Sequence, residues 1–274
     1  MRILLISSVA VAAFMAVPAA AVDLSTGPAN WTGFYVGGQG GYSWQPADGD
    51  EQVAFDRNLD GTFGDAFPNF APGFCGGAPT SASPTSGCSK DNDGGQWKIH
   101  AGYDMQFGTT SGPVVGAVIE GGKAYLYDNV TAFSTTPAVY RIGARLKENA
   151  SIRGRAGYSF STNTLIYGTG GLAYGKIKNS FSTSNGVNTF TTTDSKKDAW
   201  GFNYGGGIEQ KVGPVSIGTL YLFTSLKNHD YVVHAAGGPV GGAFTSVNAS
   251  GTDFRRTFSK FGYHTVLATV SYRF

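Results

Sequence analysis

Side chains alternate without a break along residues 96–107. Trp97, Ile99, Ala101, Tyr103, Met105 and Phe107 take one set of positions; Gln96, Lys98, His100, Gly102, Asp104 and Gln106 take the other. Successive side chains of a strand point to opposite faces, so this segment reads as a strand with one apolar and one polar side. Residues 150–160 repeat the construction, with Ile152, Ala156, Tyr158 and Phe160 opposing Ser151, Arg153, Arg155 and Ser159. In 200–211, Trp200, Phe202, Tyr204 and Ile208 oppose Asn203, Glu209 and Lys211. The chain ends on 264–274, where Val266, Ala268, Val270, Tyr272 and Phe274 oppose Thr265, Thr269, Ser271 and Arg273.

Four more segments, 31–44, 114–127, 164–177 and 215–226, read as strands with weaker alternation. All eight are long enough for the roughly nine to eleven residues of a tilted membrane-crossing strand. Their connections alternate in length. Short turns fall at 108–113, 161–163 and 212–214, and long polar stretches at 45–95, 128–149, 178–198 and 227–261. This predicts an all-β chain: an eight-stranded antiparallel up-and-down transmembrane β-barrel with short periplasmic turns and long extracellular loops. The competing architecture is a secreted β-sandwich, whose polar face would be rich in Lys, Glu and Thr. Here that face is rich in Gly and carries charges of both signs, as a narrow lumen requires. The apolar face begins and ends on Trp, Tyr or Phe, as interfacial girdles do.

Composition agrees. Gly accounts for 41 of 274 residues and charged residues for only 14%, against about 7% and about 25% in ordinary domains. A net charge of +2 without a Lys/Arg-rich run argues against nucleic acid as a partner. Residues 1–21 read as a cleaved leader: Met1-Arg2, an apolar core from Ile3 to Val17, then Ala19 and Ala21 at small-x-small spacing. The mature chain is then 22–274, and it contains no run of 18 or more apolar residues that could span as a helix. Export puts Cys75 and Cys88 in an oxidising compartment, where a disulfide is expected, with two free thiols as the alternative.

Trp31-Thr-Gly-Phe-Tyr-Val-Gly-Gly-Gln-Gly-Gly-Tyr-Ser-Trp44 resembles the opening strand of the small alphaproteobacterial outer-membrane immunogenic proteins, a porin-family group of eight-stranded barrels. Ser151-Ile-Arg-Gly-Arg-Ala-Gly-Tyr158 and Tyr167-Gly-Thr-Gly-Gly-Leu-Ala-Tyr-Gly175 resemble its middle strands, and Tyr272-Arg273-Phe274 its end. The resemblance implies residence in the cell outer membrane, among lipid and lipopolysaccharide. It also implies delivery by the barrel-assembly machinery, with Tyr272 and Phe274 as the assembly signal. Family members are mostly structural or immunogenic, and some relatives are linked to haem. The seventh strand of the family usually turns a Lys and a Glu inward; Gly218 and Leu220 stand at those positions here.

Candidate chemistry is sparse. Lys98, His100, Asp104, Glu120, Arg153, Arg155, Glu209, Lys211 and Arg273 all fall on polar faces. In a narrow barrel they form either a selectivity filter or a plug of salt bridges, and the plug is favoured because eight strands enclose just enough room for side chains. Asp56, Asn58 and Asp60, followed by Gly61, match the start of a calcium loop, with Asp65 substituting for a missing twelfth-position acid; a plain polar loop is the alternative. His229 and His234 could ligate haem iron or a divalent metal, or be solvated loop residues. No catalytic constellation stands out and no cofactor is required, so a non-enzymatic envelope barrel is expected. A small porin or a haem-binding surface receptor is the alternative.

Overall fold

The computed structural model describes residues 30–46, 51–67, 70–71, 91–134, 138–193, 195–228, 231–257 and 260–274. The leader expected over 1–21, the Cys75–Cys88 pair and His229 lie outside these residues. Thirteen strands run through the described residues: β1 (Gly33–Trp44), β2 (Val53–Asp56), β3 (Phe70–Ala71), β4 (Gly94–Gln106), β5 (Gly112–Ser134), β6 (Ala138–Ser159), β7 (Thr164–Thr183), β8 (Thr189–Thr192), β9 (Lys196–Val212), β10 (Val215–Lys227), β11 (Val233–Ala236), β12 (Thr252–Arg256) and β13 (Lys260–Arg273).

Eight of them form the barrel, in the order β1-β4-β5-β6-β7-β9-β10-β13, every neighbouring pair antiparallel. The ring closes where β13 pairs with β1, from Tyr35 opposite Arg273 to Trp44 opposite His264. These are the eight strands expected from periodicity. Closure removes both sheet edges, so no row of backbone amides and carbonyls is left unpaired against an apolar surround. Asn163 (φ 62°) and Gly213 (φ 58°) take the left-handed conformation in two of the short turns.

The barrel is apolar outside. Phe34 and Ile99 are each 67% exposed, and Ile119, Ile152, Leu172, Phe202, Ile217 and Val266 continue the band around the remaining strands. Within each of these strands the neighbouring side chains turn inward and are buried. Three of the four weakly alternating segments share a cause: apolar side chains also face inward there. Val114, Ala124 and Leu126 of β5, Leu165, Ala173 and Ile177 of β7, and Leu220 and Leu222 of β10 are all buried.

The outer ends depart from expectation. Residues 128–149, expected as a loop, are mostly strand, because β5 and β6 continue their pairing as far as Ser134 opposite Ala138. Above the barrel, β2, β12, β11 and β8 form a second antiparallel sheet. This sheet and the extended β5–β6 hairpin enclose a core of Phe55, Phe67, Tyr140, Ile142, Phe244 and Phe254, with Phe181 and Phe190 packed against it. Phe254 is fully buried, with ring centroids 5.7 Å from Phe55 and 5.5 Å from Phe181. Phe254→Ala should cost this outer core about 3–5 kcal/mol while leaving the barrel closed. The expected readout is faster proteolytic cleavage between 45 and 67 and between 231 and 257, with the heat-modifiable gel shift of the barrel retained.

Candidate functional site

The lumen charges fall into two groups. In the first, Glu120 of β5 accepts from Lys98 Nζ at 2.7 Å and Arg153 Nη2 at 2.6 Å. Gln39 Nε2 at 2.5 Å and Ser151 Oγ at 2.8 Å complete its shell. In the second, two carboxylates and two guanidiniums alternate around a closed ring. Arg155 donates to Asp104 through Nε (2.7 Å) and Nη2, and to Glu209 Oε1 through Nη1 (2.7 Å). Arg273 returns to Asp104 Oδ2 at 2.8 Å and Glu209 Oε2 at 3.2 Å. All seven charged residues are buried. Four cations against three anions leave the two groups at +1. Desolvating such charges is costly, and only close pairing with the remaining lone pairs satisfied offsets it.

Aromatic rings pack on the cations. The Arg155 guanidinium lies 4.7 Å from the Tyr35 ring and 4.8 Å from the Tyr167 ring, and Arg273 lies 4.5 Å from Trp31. Trp31, read as part of the first strand, instead precedes β1; it is fully buried, and its carbonyl accepts from Arg273 Nη1 at 3.3 Å. Room for this packing comes from missing side chains. A Cβ on Gly116 would strike the Asp104 carboxylate, and one on Gly218 would come within 2.8 Å of Glu209 Cγ. Leu220 faces inward as aligned, and Gly218 leaves space for a charge contributed by β9. The cavity beside the network has a volume of about 20 Å³, enough for about one water.

Two of the nine expected lumen residues stand apart from these ion pairs. His100 is buried, its Nε2 lies 2.8 Å from Ser271 Oγ, and its Nδ1 has no hydrogen-bond partner among the described residues. Lys211 is half-buried at the turn end of β9 and donates to the Asn30 carbonyl at 2.5 Å. Beyond the charged layer, towards the outer sheet, the lumen is apolar, with Ala124, Leu126, Leu146, Ile177, Leu226 and Phe261 in one cluster.

Asp56, Asn58, Asp60 and Asp65 do come together in one turn, with Leu59 (φ 60°) and Gly61 (φ 87°) left-handed. Their oxygens face the turn's own donors. Asp56 accepts from the Asp60 and Gly61 amides at 3.2 and 2.8 Å, Asp60 from the Thr62 amide at 2.7 Å, and Asp65 from the Arg57 amide at 2.7 Å. The Thr62 amide holds the Asp60 carboxyl below the usual range. His234 places Nδ1 2.6 Å from Asp253 Oδ1 and Nε2 3.1 Å from the Ser250 carbonyl, so both ring nitrogens face oxygens of its own hairpin.

A buried polar cluster at the outer rim was not anticipated. Arg256 of β12 binds Glu51 and, at 2.6 Å, Asp128 of β5, tying the outer sheet to the barrel. Burial opposes the charge on Arg256, but the two carboxylates outweigh it and push its pKa up. Nearby, Asp91 Oδ1 accepts from the Asn129 amide at 3.1 Å. Burial, reinforced by the Asp128 carboxylate, pushes Asp91 up to about 8. An acid whose folded pKa is raised binds more protons folded than unfolded, so its contribution falls as pH rises from about 4 to about 8. The rim should therefore be held most firmly at acid pH and loosen toward pH 8, and Asp91→Asn should flatten that slope. Hydrogen exchange of the Tyr127 and Asn129 amides across this range checks it.

A closed eight-stranded barrel with an apolar, aromatic-rimmed outside and its charges within is a protein of a lipid bilayer; no water-soluble fold exposes so continuous an apolar band. No protein-family model matches the chain. It is 24% identical over 253 residues to the 31 kDa outer-membrane immunogenic protein of Brucella melitensis, covering 89% of this chain and 84% of that one. It is 29% identical over 159 residues to a 22 kDa outer membrane protein of Rhizobium leguminosarum bv. viciae, covering 58% of this chain and 65% of that one. Among solved structures, the outer membrane protein OprG from Pseudomonas aeruginosa aligns over 91% of this chain and 99% of its own at 10% identity, with a TM-score of 0.48. With homologues named as outer-membrane proteins, the Brucella ones as immunogenic, the chain is an outer-membrane β-barrel.

Proposed function

We propose that the chain is a non-enzymatic structural barrel, closed to ions, that reinforces the outer membrane and carries a folded domain on the cell surface. One observation carries this reading: the lumen is filled in successive layers. Trp31 lies below the Asp104–Arg155–Glu209–Arg273 ring, the apolar cluster around Leu126 and Phe261 lies above it, and the aromatic core around Phe254 lies beyond. Ions crossing such a stack would have to displace both paired charges and packed rings. Both ring nitrogens of His234 lie against oxygens of its own hairpin, Asp253 Oδ1 and the Ser250 carbonyl, which supports a structural role for this residue. Refolded protein in planar bilayers should give no steady conductance; steady open channels would overturn the closed lumen and favour a small pore.

A further inference from the structure

We propose that the outer-rim face of β5, β6, β7 and β9 is a binding site for the phosphate groups of an outer-leaflet glycolipid. This rests on the chain being an outer-membrane barrel, and it is independent of whether the lumen conducts. The strand registers build the site. One outward-facing row runs Lys123, Glu148, Lys176, Asp198 across four adjacent strands, with alternating sign. Its acids are engaged locally: Glu148 Oε2 lies 3.0 Å from Lys176 Nζ, and Asp198 Oδ1 accepts from the Tyr174 hydroxyl at 2.6 Å. The next row outward sets Arg145, Lys178 and Lys196 directly opposite one another. Like charges in opposed positions destabilise a sheet, so the opposed Arg145 and Lys178 favour an anionic occupant.

Lys147 adds a further cation. The register shifts between Leu146 and Glu148, and this bulge leaves Lys147 exposed between two grooves. One groove, of about 470 Å³, is lined by Lys123, Tyr125, Arg145 and Lys147. The other, of about 340 Å³, is lined by Lys147, Lys176, Lys178 and Lys196 together with the acids Glu148 and Asp198, and Glu148 also lines the first. Among the described side chains, six cations meet two acids here, so the face is basic. Two basic grooves sharing one ammonium suit a headgroup bearing two phosphates, which accept short charge-assisted hydrogen bonds from Arg and Lys.

Depth identifies the source of the phosphate. The rings of Tyr174 and Trp200 lie tilted against each other, centroids 5.0 Å apart, at the edge of the apolar band, with exposed Leu172 and Phe202 beneath. Lys196 lies four residues beyond Trp200, about 13 Å along the strand, or about 10 Å along the membrane normal for the usual tilt. Aromatic girdles mark the lipid–water interface, so the basic rows lie at the headgroup layer, where phosphates of the leaflet are concentrated.

The test uses the full refolded protein in detergent, titrated with purified lipopolysaccharide, with the same lipid enzymatically dephosphorylated, and with inorganic phosphate. Wild type should bind the phosphorylated lipid at least about tenfold more tightly than the dephosphorylated one, the equivalent of one charge-assisted hydrogen bond. Affinity should fall with salt, and inorganic phosphate should compete only weakly. Arg145→Gln combined with Lys147→Gln and Lys178→Gln should remove the preference. Lys147→Gln alone, on the bulge, should weaken it severalfold and serves should the triple variant fail to show the heat-modifiable shift. Equal binding of both lipids, an unchanged preference in a folded variant, or inorganic phosphate binding as tightly as the lipid would each overturn the site. Conductance measured on the same samples separates a failure here from a failure of the closed-lumen reading.

Discussion

Arg155→Met should destabilise the barrel by about 3–5 kcal/mol, the usual cost of leaving buried charge uncompensated. Arg155 donates to both Asp104 and Glu209 from between the Tyr35 and Tyr167 rings. Methionine fills much of the space but leaves two carboxylates sharing Arg273 alone. The double variant Arg155→Met/Asp104→Asn should recover part of the loss, because Arg273 and Glu209 then remain as a balanced pair 3.2 Å apart. Urea titration of both proteins in lipid vesicles checks the order. A single variant as stable as wild type would mean that the ring stabilises nothing. The same variants extend the conductance test, since a lumen closed by charges alone should leak once the ring is broken. The apolar cluster of Leu126, Leu146 and Phe261 beyond it predicts that Arg155→Met stays closed.

The barrel was legible in the sequence because a lipid-facing strand obeys one rule, an apolar side chain at every second position. All eight segments became strands, and seven of the nine expected lumen residues joined the two ion-pair groups. Which cation meets which anion was not legible, because partners such as Asp104 and Arg273 lie on strands distant in sequence. Trp31 was read as strand because its neighbours alternate, whereas its indole is held inward by Arg273. The outer core was missed for a different reason. Tyr140, Ile142, Ala144 and Leu146 alternate with Arg141, Gly143 and Arg145 much as a lipid-facing row would, yet they point inward and are buried. Periodicity reports that a strand has an apolar face; it does not say whether lipid or a packed lumen covers it. The rim pairing of Arg256 with Glu51 and Asp128 spans more than a hundred positions and leaves no local signal.

Deleting Tyr272, Arg273 and Phe274 should abolish assembly. The physical part of this expectation rests on closure. β13 is the strand that joins β10 to β1, and its last residues pair Arg273 with Tyr35 and Tyr272 with Val36 on one side, and Tyr272 with Val215 on the other. The Phe274 amide also donates to the Phe34 carbonyl at 3.0 Å. Without them the turn end of β1 is an open edge in hydrocarbon, at several kcal/mol for each unsatisfied group, and the charged ring loses Arg273. The assembly-signal part rests on the two exposed rings, Tyr272 and Phe274, whose centroids lie 5.2 Å apart on the lipid face. A side-chain variant separates the two parts. Tyr272→Ala/Phe274→Ala keeps every ladder bond and Arg273, so it should fold in detergent as wild type does while its outer-membrane yield falls severalfold in cells. The deletion should fail in both settings, giving periplasmic degradation and no heat-modifiable band. If the double alanine variant reached the outer membrane at wild-type yield, the terminal aromatics would be lipid anchors and not an assembly signal. If the deletion did so, the register that closes β13 on β1 would be wrong.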